Sequence, residues 1–402
     1  MLLGGSYGQL PAIHVAKERG LHTILCDYLS DNPGRQYVDE FYLESSTNTE
    51  RILALAKSLE IDCLLGYASD PAAPTVAKVS ETLGLPCANP FQSVEILCYK
   101  DRFRQWQKEA GFNHPSFIVC DSIDEVSMSS GQFSFPLIVK PIDSSDTKGI
   151  SLIDNVNELE GAFLLAKSFS RAGKVILEEF IDDSLANFHG DALFDNGNMV
   201  YCMLGDRLFT SESSPLKPST ESYPSKADPI WVSKAEKEVE RTLQKVGFKH
   251  GCVNIEARVH NNGEVYIMEI GPRSGGGHTP YAIALSSGFN MLEATFDLLL
   301  GNPVSQKVKS NFPVITFELH YNSFGTFKQI NIPDHWLPYI VFKKLSVVAD
   351  QKIVPFSEPS SSLGTLMFQF PSWKIRDEIA STMYEEMMDA IKVENDSNYS
   401  NG

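Results

Sequence analysis

The 402-residue sequence is short of positive charge: 34 Lys and Arg against 51 Asp and Glu leave a formal net charge of −17. With no basic stripe to neutralise a phosphate backbone, the composition argues against a nucleic-acid partner. A chain of this kind that handles phosphates has to concentrate its few cations locally. No apolar run reaches the length of a membrane span and no signal peptide precedes the first strand, so the expectation is a cytoplasmic protein without a membrane partner. The seven cysteines (26, 63, 87, 98, 120, 202 and 252) are odd in number and include no Cys-x-x-Cys pair. That is the pattern of reduced, mostly buried thiols and not of a disulfide frame or a zinc site. Both Gly-x-Gly-x-x-Gly and the P-loop signature are missing. Gly4-Gly5-Ser6-Tyr7-Gly8, with Asp27 where a ribose acid would lie, only approximates a dinucleotide turn. It reads better as a tight strand-to-helix turn near a small ligand.

A chain of this length implies two or three domains. Residues 1–90 alternate strand and helix, which implies a doubly wound parallel sheet. Strands at 116–120, 137–140 and 175–180 with a helix at 156–168 form an α+β unit. Trp231, Ala235, Val239, Leu243 and Val246 give residues 229–246 helical spacing. The Ser-, Pro- and Thr-rich stretch 210–228 reads as a loop. Beyond Pro303, strands at 314–319, 338–347 and 365–370 suggest an antiparallel cap. One helix carrying Ile375, Ile379, Met383, Met387 and Ile391 closes it, and a polar tail, 393–402, follows.

What is present is more telling. Cys252–His260 and Glu264–Ile270 are two β-rich runs separated by Asn261-Asn262-Gly263, and Asn-Gly predicts a two-residue type I′ hairpin turn. Paired residues then have numbers summing to 525. Val259 faces Tyr266, Ala257 faces Met268 and Ile255 faces Ile270 on one apolar face. The other face carries Asn254 opposite Gly271, Arg258 opposite Ile267, and Glu256 opposite Glu269. Directly opposed like charges are unfavourable, so a cation belongs between the two acids, and Mg²⁺ binds through one or two carboxylates plus phosphates. On the hairpin alone, a solvated face with Arg258 paired to one acid is an equal account.

Two further segments point to phosphates. Phe135-Pro-Leu-Ile-Val-Lys140-Pro141 ends a buried strand in a lysine, which needs an anionic partner. The polar loop 143–150 follows, with Ser144, Ser145, Lys148 and Gly149 able to wrap a polyphosphate; a plain hairpin turn is the competing account. Glu178-Glu179-Phe180-Ile181 ends another apolar strand, where backbone groups can meet an adenine edge or simply run into a solvated turn.

In this order the pieces resemble the ATP-grasp superfamily. The matching positions are the Gly4–Gly8 turn, Lys100 in Tyr-Lys-Asp-Arg-Phe, Lys140, the 143–150 loop, Glu178-Glu-Phe-Ile, and Glu256 and Glu269 with Arg273 in Glu-Ile-Gly-Pro-Arg. The chain is most similar to the carboxylate–amine ligase branch, which includes purine-biosynthetic, carbamoyl-phosphate-synthase-like and biotin-carboxylase-like proteins. The resemblance implies a multidomain α/β and α+β fold. An N-terminal domain would span 1–95, an ATP-grasp domain with its lid (116–190) would span 96–305, and a cap would span 306–392. ATP would be held by Lys100, Lys140, Ser144, Ser145, Lys148, Gly149 and the 178–181 strand end. Mg²⁺ or Mn²⁺ would lie on Glu256 and Glu269, and Arg273 and Lys148 would take part in transfer. The implied reaction passes the γ-phosphoryl group to a small-molecule carboxylate, and an amine attacks the acyl phosphate. Homodimers are common in the group.

Three positions depart from the pattern. Gly271 stands where Asn usually follows the second acid, with Asn254 opposite it as a substitute ligand. The phosphate loop has a single glycine, and Asn187 replaces a ribose-binding glutamate. The alternatives are a bicarbonate-activating enzyme, a nucleotide-binding regulator without turnover and, remotely, an NAD enzyme. His189 and His278 read as ordinary polar residues, the latter also as a substrate contact.

Overall fold

The computed structural model describes residues 1–130, 133–144, 148–208, 219–276, 278–356 and 361–395, without the side chains of 127–130, 208 and 395. The chain opens with the parallel strands β1 (Leu2–Leu3), β2 (Ile24–Asp27) and β3 (Glu40–Leu43) in the order 1-2-3. Leu65 adds an isolated parallel bridge to Leu2. The glycine turn after β1 is tied down by Asp27, whose carboxylate accepts from Gly5 N (2.7 Å) and Leu29 N (2.8 Å). Asp27 is thus a turn anchor.

The next unit is an antiparallel sheet of β4 (Phe117–Cys120), β5 (Leu137–Pro141), β6 (Ser151–Ile153) and β7 (Val175–Glu179), ordered 4-7-5-6. Helix Leu159–Phe169 covers it through Leu159, Ala162, Phe163 and Ala166.

The remaining strands are β8 (Ala186–Asp195), β9 (Asn198–Leu208), β10 (Thr220–Tyr223), β11 (Gly251–Val259), β12 (Val265–Gly271), β13 (Val314–Leu319), β14 (Gly325–Ile330), β15 (Ile340–Leu345), β16 (Lys352–Ile353), β17 (Gly364–Gln369) and β18 (Ile391–Asn395). Eight of them form one sheet in the order 12-11-8-9-10-13-17-15. Strands beyond residue 305 therefore extend the same sheet that carries Glu256 and Glu269. Helix Pro229–Val246 buries Ala235, Val239, Leu243 and Val246 against one face of this sheet. Asp228 caps the helix by accepting from Ile230 N (2.9 Å), and Pro229 occupies its first turn.

The expected C-terminal helix is two helices, Trp373–Ala380 and Met383–Ala390, broken at Ser381 and Thr382. Ile391 then opens β18, which pairs with β14 through Asn395, so residues 393–395 are strand and not the start of a tail. No helix among the described residues is long and apolar enough to cross a membrane.

Candidate active site

In the hairpin β11–β12, Asn254 pairs with Gly271, Ile255 with Ile270 and Glu256 with Glu269, as expected. The rest of the register differs. The loop has three residues, 261–263, closed by Gly263 N→His260 O (2.8 Å) and His260 N→Glu264 O (3.1 Å). Gly263 takes the left-handed position (φ +78°) that such a loop requires. Ala257 consequently faces Ile267, Arg258 faces Tyr266 and Val259 faces Val265. Met268 bulges out between the two registers. It leaves the apolar face, which is completed by Ile267 and Val265, and lines the cleft.

Each acid has its own cation. Arg207 on β9 reaches Glu256 (Nη1–Oε1, 2.8 Å) and Glu221 on β10 (Nε–Oε1, 3.3 Å), while Lys100 reaches Glu269 (Nζ–Oε2, 3.2 Å). Arg258 pairs with neither: it donates to Ile181 O (2.5 Å) and lies 4.8 Å from the Phe180 ring centroid. Burial alone would raise the Glu256 carboxyl, but Arg207, His189 and Lys100 outweigh it and hold it down to about 2. His189, on β8 opposite Glu256, contacts Glu221 (Nδ1–Oε1, 2.9 Å), and Tyr223 OH donates to the other Glu221 oxygen (3.0 Å). His189 is thus an orienting member of this network and not an isolated polar side chain. Neither Arg207 nor Glu221 had a sequence signal: Arg207 sits in an ordinary strand, and Glu221 lies in the stretch 210–228 expected to be a loop, of which Thr220–Tyr223 instead form β10.

A slot of about 100 Å³ between β5, β7 and the hairpin is lined by Lys140, Glu178, Glu179, Ile181, Asn187, Met268 and both acids, among others. The anionic partner of Lys140 is Glu178 (2.7 Å), which is 1% exposed and also takes Arg104 (Nε–Oε1, 2.8 Å). The Glu178 carboxylate is committed to these two cations, so it fixes Lys140 from beneath the slot. Burial pulls the Lys140 ammonium below its ordinary value; Glu178 opposes the fall, and Arg104 and Lys100 add to it. Two strand-end amides are also engaged, Glu179 N on Ser116 O (3.0 Å) and Phe180 N on Pro136 O (3.1 Å). Asn187 donates to Asp183 (2.5 Å).

Of the phosphate loop, Ser144 gives its carbonyl to Lys100 Nζ (2.9 Å), and Asp143 accepts from Ser170 Oγ, Arg171 N and Ala172 N. Ser145 lies outside the described residues. Lys148 is exposed and lines a neighbouring opening with Asp70, Ser144, Glu269 and Gly271, not the slot itself. Gly149 is buried, with a left-handed φ of +73°.

Arg273, expected to fork a substrate carboxylate or phosphoryl group, instead forks Asp70 (Nε–Oδ1 and Nη2–Oδ2, both 2.7 Å). This clasp explains Gly271: a Cβ there would lie 3.0 Å from Arg273 Cζ and 3.1 Å from Asp70 Oδ1. Asn254 donates its amide nitrogen to Asp191 Oδ1 (2.9 Å) and Gly190 O (3.1 Å). Any role of Asn254 toward a cation therefore falls to its Oδ1. Asp191 also accepts from Gly275 N (2.8 Å), which pins the start of the glycine stretch after Arg273.

Past the two acids the slot opens into a cavity of about 450 Å³, whose walls include His189, Arg207, Glu221, Arg273, His278 and, from the far strands, Glu318 and Lys344. Lys100, Ile150, Arg207, Glu256 and Glu269 line both spaces. The acids thus stand at the junction of the two spaces. Among the described residues no group of three or more His, Cys, Asp or Glu could enclose a metal. Two opposed carboxylates, each already offset by a cation, fit an ion that takes its other ligands from phosphate and water, as Mg²⁺ does.

Residues 133–280 match the family described as the ATP-grasp domain. The formate-dependent phosphoribosylglycinamide formyltransferase of Prochlorococcus marinus (strain NATL2A) is 26% identical over 319 residues, which is 77% of this chain and 78% of that protein. Among solved structures, an L-amino acid ligase from Bacillus licheniformis superposes with a TM-score of 0.79 at 20% identity, covering 98% of both chains. Phosphoribosylglycinamide synthetase from Anaerococcus prevotii gives 0.72 at 19% identity, again over 98% of both. Residues 133–280 thus carry the ATP-grasp match, and the chain as a whole shares the fold of these ligases.

Proposed function

We propose that the protein is an ATP- and Mg²⁺-dependent ligase that activates a small-molecule carboxylate as an acyl phosphate for attack by an amine. The observation that carries this reading is the position of Glu256 and Glu269, on neighbouring strands where the slot beside Lys140 meets the 450 Å³ cavity. Glu256 and Glu269 would hold Mg²⁺, which would supply positive charge to offset the charge that develops in transfer. Lys100 and Lys140 meet the phosphates from the slot, and Lys148 meets them from the loop. The β4–β7 unit covers the slot and keeps water from an acyl phosphate. Arg273, once released from Asp70, has the bidentate fork that a carboxylate or phosphoryl group requires. The ATP-grasp match over residues 133–280 supports the ATP chemistry, and the relatives' names, a formate-dependent enzyme and an L-amino acid ligase, support a carboxylate reactant.

Activation of bicarbonate is the second reading. A cavity of 450 Å³ is far larger than bicarbonate needs, which favours the first. The test is ADP release from MgATP with pooled carboxylates and amines, bicarbonate separately, and Glu269→Gln as control. Turnover that requires an organic carboxylate and falls at least a hundredfold in Glu269→Gln is expected. Release driven by bicarbonate alone favours the second reading, and failure to bind ATP at all refutes both.

A further inference from the structure

The polar face of the large sheet continues past the metal acids into strands from beyond residue 305. On that face Glu221 is opposite Thr316, and Glu318, two residues further along β13, is opposite Thr365 of β17. Thr365 in turn is opposite Lys344 of β15. A diagonal neighbour of this kind lies about 7–8 Å away, which sets Glu318 one step deeper into the cavity than Glu221.

Four carboxylates line the cavity: Glu221, Glu256, Glu269 and Glu318. Three of them have cationic or histidine partners: Arg207 and His189 on Glu221, Arg207 on Glu256, and Lys100 on Glu269. Among the described residues Glu318 has hydroxyl donors only, Ser362 Oγ on Oε2 (2.9 Å) and Thr365 Oγ1 on Oε1 (3.0 Å). Lys344 acts on it from a distance, but its Nζ lies over the exposed Tyr7 ring, 4.9 Å from the centroid. Two hydroxyls aimed at one carboxyl favour its ionised form, whereas burial opposes it and raises the group above its ordinary value. A partly buried carboxylate without a counter-charge is costly to keep in a cavity wall. A cationic ligand would remove that cost.

We infer that Glu318 is the specificity-determining residue for an ammonium group on the substrate, so that the cavity takes a zwitterion with its carboxylate at the Glu256–Glu269–Arg273 end and its amine at Glu318. This rests on the ligase reading for which end reacts, although binding to Glu318 is measurable without turnover. The registers place the ammonium one strand beyond Glu221, which favours an amine separated from the carboxylate by several bonds.

The experiment is saturation-transfer NMR on the full chain loaded with Mg²⁺ and a non-hydrolysable ATP analogue. One pool holds the twenty L-amino acids and the ω-amino acids from β-alanine to 6-aminohexanoate. The other holds the corresponding acids without the amine. Members of the first pool alone are expected to bind, and the affinity of the best binder should fall at least tenfold in Glu318→Gln and less in Glu318→Asp. Analogue affinity should stay within twofold and the melting temperature should not drop. No binding from the first pool, equal binding from the second, or unchanged affinity in a folded Glu318→Gln overturns the inference. Zwitterion binding lost in Glu318→Gln without ADP release from MgATP leaves the anchor standing and refutes the ligase reading instead.

Discussion

Glu178 shows how much one side chain can decide. It is 1% exposed, and Arg104 and Lys140 meet its two oxygens. Burial works to raise its carboxyl, but the two cations prevail and hold it at about 2, against an ordinary 4.5. The folded-state value is depressed, so this stabilisation is complete above about pH 4.5 and is lost as the pH falls toward 2. A shift of this size is worth on the order of 3 kcal/mol. Urea denaturation between pH 5 and pH 3 should therefore show stability falling steeply in the wild type and more gently in Glu178→Gln. Parallel slopes would mean that Glu178 is not the titrating group. At neutral pH the same substitution leaves two buried cations without their charge partner, at a cost of roughly 3–5 kcal/mol, and it should weaken ATP binding by unseating Lys140.

Elements hold the site through their irregularities. Helix Lys100–Ala110 clamps the bulged strand β12, with Arg104 Nη2 on Met268 O (2.6 Å) and Gln107 Nε2 on Ile267 O (3.0 Å). Arg104 thus joins the bulge carbonyl to Glu178 on β7 with one planar group. Lysine presents a single compact ammonium and cannot make both contacts. Arg104→Lys should cost about 1–3 kcal/mol in denaturation and raise the KM for ATP several-fold. An unchanged KM would show that the bulge is positioned by other means. The hairpin also marks where the sequence was legible. Opposing Glu256 to Glu269 by counting from an Asn-Gly turn succeeded because two errors cancel: the loop is one residue longer than expected, and the bulge at Met268 shifts the register back. The helix 229–246 was readable throughout, since its cap, stripe and terminal glycine agree. Arg104, Arg207 and Glu221 were not, because nothing local separates a buried functional charge from a surface one. The order of strands in the sheet brings Arg207 and Glu221 together, and the packing of helix Lys100–Ala110 on β12 brings in Arg104.

At the scale of the whole molecule, the site is closed by contacts between distant parts of the chain. Glu318 and Lys344 reach it from beyond residue 305, and Asp70 reaches it from the N-terminal region, 203 residues from Arg273. The Asp70–Arg273 fork holds an arginine suited to a bidentate anion in a pairing that a substrate carboxylate would have to displace. Asp70→Asn keeps the shape but removes the charge and one acceptor. Loss of a pair with 12% and 28% exposed side chains should lower stability by about 1–3 kcal/mol. It should also free Arg273, so the KM for the carboxylate should fall while the KM for ATP stays unchanged. Gly271→Asn ought to act in the same direction, because its side chain would enter the space that the fork fills. The two variants together should show no more effect than the stronger alone, since they break one contact. A carboxylate KM that rises tenfold in Asp70→Asn would reverse the assignment. Asp70 would then orient Arg273 for its ligand, and the N-terminal region would be part of the anion site itself.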